Sequence, residues 1–443
     1  MQEDVRSALL ITYVWPPTGG VGAGRVLKLA KYLPSYGVTP SVLTVANPSV
    51  PLRDESMLKD VPPGIEVLRA RTFEPSYATK QAAWQAASAD AKSAAPPSIK
   101  KRVVGRAASL AKHLLVPDPQ LLWQPDAQRM LAGRLASSRA DDVVFITAPP
   151  FSMFLSSPLI RASRRSALVL DYRDEWITIR THFEMMGKLG RWLGGPMEHA
   201  MLRCAHMITT ATDAFRENLL SHFPFLEPSQ VVTIENGFDR DDLPATLPEP
   251  PTDKFVITYA GSVLVQNSPQ GFLGAVRRLH ERSPELAKLL EVVFIGRVVD
   301  TEARWFEGME AMGVRRIGYI DKDKVAPALS ASHMVLCLLD DMPGAERIYP
   351  AKIFEIMVLD RPCLTLAPEG ALTALVRDHN LGPVLPPRDE AAIAAELERA
   401  LLAFRDGRYE TRTRPVDIAR FDRKAQAGRF VDVFREARAR ARR

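Results

Sequence analysis

The run Ala8-Leu9-Leu10-Ile11-Thr12-Tyr13-Val14 breaks directly into Trp15-Pro16-Pro17-Thr18-Gly19-Gly20-Val21-Gly22-Ala23-Gly24, and the fold is decided at this junction. A short continuous apolar run matches a strand buried on both faces of a parallel sheet. Beyond the glycines, Val26, Leu27, Leu29, Ala30 and Leu33 recur at helical spacing, and Ser41–Val45 is apolar again. Strand, glycine turn, helix and strand make a βαβ unit. Outward from it the same rhythm predicts strands at Ile65–Arg69, Val143–Thr147, Ala167–Asp171, His206–Thr210 and Val231–Ile234, with helices between them.

Asp241–Asp253 holds Pro244, Pro248, Pro250 and Pro251 and reads as a linker, because proline resists both helix and ladder pairing. A second series follows, with strands at Phe255–Ala260, Glu291–Ile295, His333–Leu338 and Cys363–Leu366 and helices at Pro269–Glu281, Asp323–Ala331, Ala351–Val358 and Glu390–Ala403. The expected architecture is α/β: two Rossmann-like domains facing each other across a cleft, residues 1–240 and 254–419, joined by 241–253. A tail helix over 420–443 is expected to pack back on the first domain.

A chain of 443 residues exceeds one ordinary core, which agrees with two domains. The amino terminus carries acids before its apolar stretch and reads as a first strand, not a signal peptide. No run of 18 apolar residues suggests a membrane-spanning helix. The three cysteines, Cys204, Cys337 and Cys363, lie in apolar contexts without metal-ligand spacing, as expected of a reducing, cytoplasmic compartment. The net charge of +6 fits an anionic substrate or an anionic membrane face, and nucleic acid is not an expected partner. Ser98–Leu115 is a basic amphipathic segment, with Val103, Ala107, Leu110 and Leu114 on one face. Peripheral docking on the inner membrane face and ordinary helix packing are both open to it.

The chemistry-bearing residues gather where predicted strands end, which in open α/β sheets is the ligand side. Glycines 19, 20, 22 and 24 let backbone approach a phosphate closely at a helix start. Asp171-Tyr172-Arg173-Asp174-Glu175-Trp176 places acids and an arginine at one strand end, either to handle sugar hydroxyls or as an internal ion pair. Thr147–Ser152 reads as a stiff wall. Lys352 and Glu355 share a helix face, so that lysine can meet a diphosphate and glutamate a ribose diol; a surface salt bridge is the plainer alternative. Gly261-Ser262, Gly296-Arg297 and Gly318-Tyr319 each follow a predicted strand. Asp340-Asp341 reads as solvated loop, and no constellation suggests a metal or a bound cofactor.

The set Pro16–Gly22 with Arg25–Leu33, Pro117-Asp118 with Trp123, Thr147–Ser152, Asp171–Trp176, Asn236-Gly237-Phe238-Asp239, Tyr259–Ser262 and Ala351–Glu355 resembles family-4-type bacterial glycosyltransferases of polysaccharide assembly. The resemblance covers nearly the whole chain in order. It implies the GT-B architecture, a nucleotide-sugar donor (UDP-, GDP- or TDP-sugar), retention of anomeric configuration and no metal requirement. By position it implies that Gly19, Gly20 and Gly22 face the donor diphosphate, that Lys352 holds phosphate and Glu355 ribose, and that Arg173 and Asp174 lie near the transferred sugar and acceptor. Gly261, Ser262, Gly296, Arg297 and Tyr319, each after a predicted strand, are expected to line the same donor site. Asn267 stands where many relatives have a basic residue, and Arg347, where many have glutamate, is the expected replacement cation. The acceptor is expected to be a saccharide or lipid-linked saccharide; a small natural product, or a catalytically silent scaffold, is the alternative reading.

Overall fold

The structure is a computed structural model and describes residues 5–19, 21–50, 53–80, 115–178 and 188–443. Gly20 and most of the Ser98–Leu115 segment therefore lie outside the described residues. The chain divides into two compact units, Met1–Ile234 with Gln426–Arg443, and Glu235–Ala425.

The first unit is built on a seven-stranded sheet, ordered β3-β2-β1-β4-β5-β6-β7. Its strands are β1 (Ser7–Ile11), β2 (Thr39–Val45), β3 (Glu66–Ala70), β4 (Val143–Ala148), β5 (Ala167–Tyr172), β6 (Met207–Thr210) and β7 (Val231–Thr233). All pairings are parallel. Among the described residues its helices before the C-terminal tail are α1 (Val21–Tyr32), α2 (Gln124–Ala136), α3 (Ser157–Ser163), α4 (Lys188–Cys204) and α5 (Asp213–His222). Strand periodicity sorts the side chains onto two faces. Leu9, Ile11, Val144, Ile146, Leu168 and Leu170 join one core, whereas Ala8, Leu10, Val143, Phe145, Ala167 and Val169 join the other.

The second unit has a six-stranded parallel sheet, ordered β10-β9-β8-β11-β12-β13. Its strands are β8 (Phe255–Ala260), β9 (Leu290–Ile295), β10 (Val314–Ile317), β11 (Met334–Leu338), β12 (Cys363–Leu366) and β13 (Val384–Leu385). Its main helices are α6 (Gln270–Arg282), α7 (Lys322–Ser330), α8 (Lys352–Met357), α9 (Ala371–Asp378) and α10 (Glu390–Arg405). The Asp389 carboxylate caps α10 by accepting from the Ala392 amide at 3.0 Å. The last helix, α11 (Arg423–Ala441), returns to the first unit, where Phe430 and Phe434 lie 5.5 and 5.9 Å from Phe145, ring centre to ring centre.

In each sheet the winding reverses beside the first strand, between β1 and β4 and between β8 and β11. Loops leaving the carboxyl ends at such a switch point form the ligand crevice of open α/β sheets. The proline-rich stretch is fastened to the second unit. Pro248 oxygen accepts from Ser330 at 3.1 Å, and Glu249 pairs with buried Arg361 at 2.9 Å and with Arg412.

Candidate functional site

Next to the carboxyl end of β5, one strand beyond the switch point, Asp171 is fully buried. Arg25 from α1 reaches it at 2.8 Å and also donates to Ile234 oxygen at 2.8 Å. Thr147 and Thr209 donate hydroxyls to the same carboxylate at 2.7 and 2.6 Å. Burial alone would raise the Asp171 pKa, but the Arg25 charge and these hydrogen bonds outweigh it and hold it below the usual value. Asp171 is thus the internal ion pair among the readings open to its segment.

Arg173, two residues on, donates to the carbonyls of Gly22, Ala148 and Pro149. It ties the first turn of α1 to the loop after β4. A Cβ on Gly22 would stand 2.9 Å from the Arg173 Nη1, so a side chain there would make the guanidinium tip shift. Asp174 is exposed beside it. Glu175 is buried and accepts from Thr178 at 2.6 Å and Asn218 at 3.0 Å. Trp176 stacks on Phe151 at 5.1 Å. Asp118 accepts from the Ser152 amide at 3.0 Å, and Trp123 donates to Ala70 oxygen at 3.1 Å. These two motif residues therefore brace the loops and do not face solvent.

In the second unit the loops after β8 and β9 meet. Gly261 has φ of +142° and Gly296 of +128°, conformations that favour glycine, and a Cβ on Gly296 would lie 2.4 Å from Gly261 oxygen. A Cβ on Gly261 would lie 2.9 Å from the Nζ of Lys352 at the start of α8. That ammonium sits 3.6 Å from the centre of the Tyr259 ring, a cation–π contact, and is buried without a hydrogen-bond partner among the described residues. Burial pushes its pKa down to about 8, while Cys337, Cys363 and Glu355 act in the opposite direction. Lys352 and Glu355 share a helix face as expected, yet Glu355 faces Lys322, 3.9 Å away, and Lys322 bonds Asp242 at 3.0 Å.

Asn267 is engaged within its own loop. Its amide accepts from Leu264 N at 2.7 Å and donates to Ser262 oxygen at 2.9 Å and Tyr259 hydroxyl at 2.8 Å. It steadies the ring beneath Lys352 and does not offer its amide outward. Arg347 pairs with neighbouring Glu346. Ser262, Arg297 and Tyr319 are exposed at their strand ends. Asp340 departs from the expectation of solvated loop: it is buried, and Arg388 grips both its oxygens at 3.1 and 2.9 Å.

Sequence reasoning gave Tyr259 a place in a motif but no role at the site, read Cys337 and Cys363 only for their apolar contexts, and did not single out Lys322. Tyr259 was within reach, since Phe255, Ile257 and Tyr259 alternate onto one core face of β8. Lys322 carried no local signal.

Residues 254–402, which include this arrangement, match the family model described as glycosyl transferases group 1. A D-inositol 3-phosphate glycosyltransferase from a Nocardioides species is 25% identical over 267 residues, 55% of this chain and 56% of that protein. This chain thus spans about half the length of the curated relative it matches. Among solved structures, sucrose-phosphate synthase from Thermosynechococcus elongatus superposes over 97% of this chain and 98% of its own, with TM-score 0.62 at 14% identity. Anabaena HepE in complex with UDP and glucose does so over 96% and 98%, with TM-score 0.57 at 12% identity. The E. coli protein bound with UDP-2-fluoro glucose covers 97% and 99%, with TM-score 0.61 at 14% identity. The class is therefore that of the GT-B glycosyltransferase fold, two Rossmann-like domains with all-parallel sheets. The match to the group 1 glycosyl transferase model falls within the second unit. Among the described residues no helix is long and apolar enough to cross a membrane.

Proposed function

We propose that this chain transfers a glycosyl group from a nucleotide-sugar donor to an acceptor hydroxyl, with retention of configuration and without a metal ion. The observation that carries the reading is Lys352: a buried ammonium without a hydrogen-bond partner among the described residues, under a glycine loop within the matched segment. An ammonium in that condition is stabilised by an arriving diphosphate, and its charge offsets what builds on the leaving phosphate during transfer. Glu355, half exposed on the same helix, is the ribose acceptor in this reading. Gly261, Ser262, Gly296, Arg297 and Tyr319 supply the rest of the donor site, and Arg347 a further cation. In the first unit, Arg173 holds Gly22 and the loop after β4 in place; in this reading Asp174 serves the acceptor, and Gly19 and Gly20 serve the donor diphosphate. The solved structures holding UDP or a UDP-sugar make UDP the first nucleotide to try. A lipid-linked saccharide at the inner membrane face is the acceptor we favour, and Ser98–Leu115 the segment that would bring the protein there.

Calorimetry with UDP, GDP and TDP tests the donor. One nucleotide should bind, and Lys352→Met should weaken that binding and lower turnover about a hundredfold or more, the effect of removing one charge-stabilising donor. Wild-type turnover in Lys352→Met would overturn the site. The second reading, a silent scaffold, draws on Asn267, whose amide is spent within its loop; failure of all three nucleotides to bind would favour it.

A further inference from the structure

Glu355 lies in a six-residue helix and its side chain is 46% exposed. A carboxylate so placed has many rotamers, and only a few could accept from both hydroxyls of a ribose at once. Lys352, one turn back on the same face, gives it no hydrogen bond, since its Nζ is turned onto Tyr259. The nearby cation belongs to another element. Lys322 opens α7, and its Nζ stands 3.0 Å from Asp242 and 3.9 Å from the Glu355 carboxylate. Asp242 fixes the ammonium from one side, and the remaining charge draws Glu355 from the other. Burial opposes the Lys322 charge, but Glu355 and Asp242 outweigh it and keep its pKa above the ordinary value, so it stays an ammonium at neutral pH.

We propose that Lys322, held by Asp242, is a positioning residue for donor recognition: it orients the Glu355 carboxylate so that the site discriminates ribonucleotide from deoxyribonucleotide donors. This rests on the donor reading above and assigns a residue that reading did not contain. The separation of 3.9 Å is an ion-pair contact and too long for a hydrogen bond, so Glu355 keeps its lone pairs for the sugar while its direction is set. The Lys322–Glu355 pair keeps 32% and 46% of its side chains in solvent, and pairs so placed add little to stability, so the consequence falls on recognition and not on folding.

Calorimetry with UDP and 2′-deoxy-UDP (GDP and its deoxy form if GDP is the nucleotide bound) provides the test. The wild-type protein should prefer the ribonucleotide. Lys322→Ala should weaken ribonucleotide binding about fivefold to tenfold while changing deoxynucleotide binding little, the loss of one charge-assisted contact. The ribo-to-deoxyribo ratio then falls toward one. Lys322→Arg should restore it, Asp242→Asn should lower it partly, and in a Glu355→Ala background Lys322→Ala should change it no further. An unchanged ratio in Lys322→Ala, with Asp242→Asn also unchanged, overturns the proposal while leaving the donor reading intact. If Lys322→Ala fails to fold, Lys322→Met and Asp242→Asn decide by the same ratio. A wild-type protein that binds nucleotide with no ribose preference overturns the Glu355 role, and one that binds no nucleotide overturns the donor reading with it.

Discussion

The ammonium of Lys352 lies against the Tyr259 ring with its pKa pushed by burial from 10.5 to about 8. Two consequences have opposite signs. Between pH 8 and 10.5 the ligand-free folded protein binds fewer protons here than the unfolded chain, so stability rises with pH across that window. A bound diphosphate favours the ammonium and raises its pKa. Nucleotide binding then takes up a proton above pH 8, and affinity, full below that point, falls as pH rises through it. Titrations of UDP at about pH 7.5 and about pH 9.5 should differ by up to tenfold per unit, and Lys352→Met should remove the difference. An equal slope in both proteins would assign the dependence to another group.

Among the elements, the loops after β8 and β9 depend on their glycines. Gly296 has φ of +128°, and a Cβ there would lie 2.4 Å from Gly261 oxygen, a backbone atom that cannot swing aside. Gly296→Ala is expected to destabilise the protein by about 1–3 kcal/mol through strain at this position and to displace Gly261 from Lys352. Thermal unfolding and nucleotide binding should both report it, whereas alanine at Gly133, where a Cβ meets nothing within 4 Å, should leave binding unchanged. The strands of these loops were legible from their apolar runs, and β8 and β12 match their expected bounds. The short β13 went unread, because two residues, Val384 and Leu385, make no periodic pattern.

At the scale of the whole molecule the chain closes on its beginning. Gln426–Arg443 belongs to the first unit, and Phe430, Val431, Phe434 and Ala437 are buried in the core that covers one face of its sheet. Loss of even one such phenylalanine typically costs about 3–5 kcal/mol, and a domain has about 5–15 kcal/mol in all. A chain ending at Ala425 should therefore lose cooperative unfolding of its first unit, as circular dichroism and limited proteolysis would show. A truncated protein that melts like the full chain would assign the tail a lesser role.

Sequence by itself determined the parallel α/β class, the two series of strands and the glycine turns, because strand burial and backbone freedom are written in neighbouring residues. It also brought Lys352 and Glu355 to one helix face, because helical spacing is local. Tertiary structure decided which charges meet: Arg25 with Asp171, Asp340 with Arg388, Lys322 between Asp242 and Glu355. Those pairs join residues up to 146 positions apart, and no local pattern carries them. Burial, which fixes whether a charge is paired or left waiting, arises only when distant elements pack.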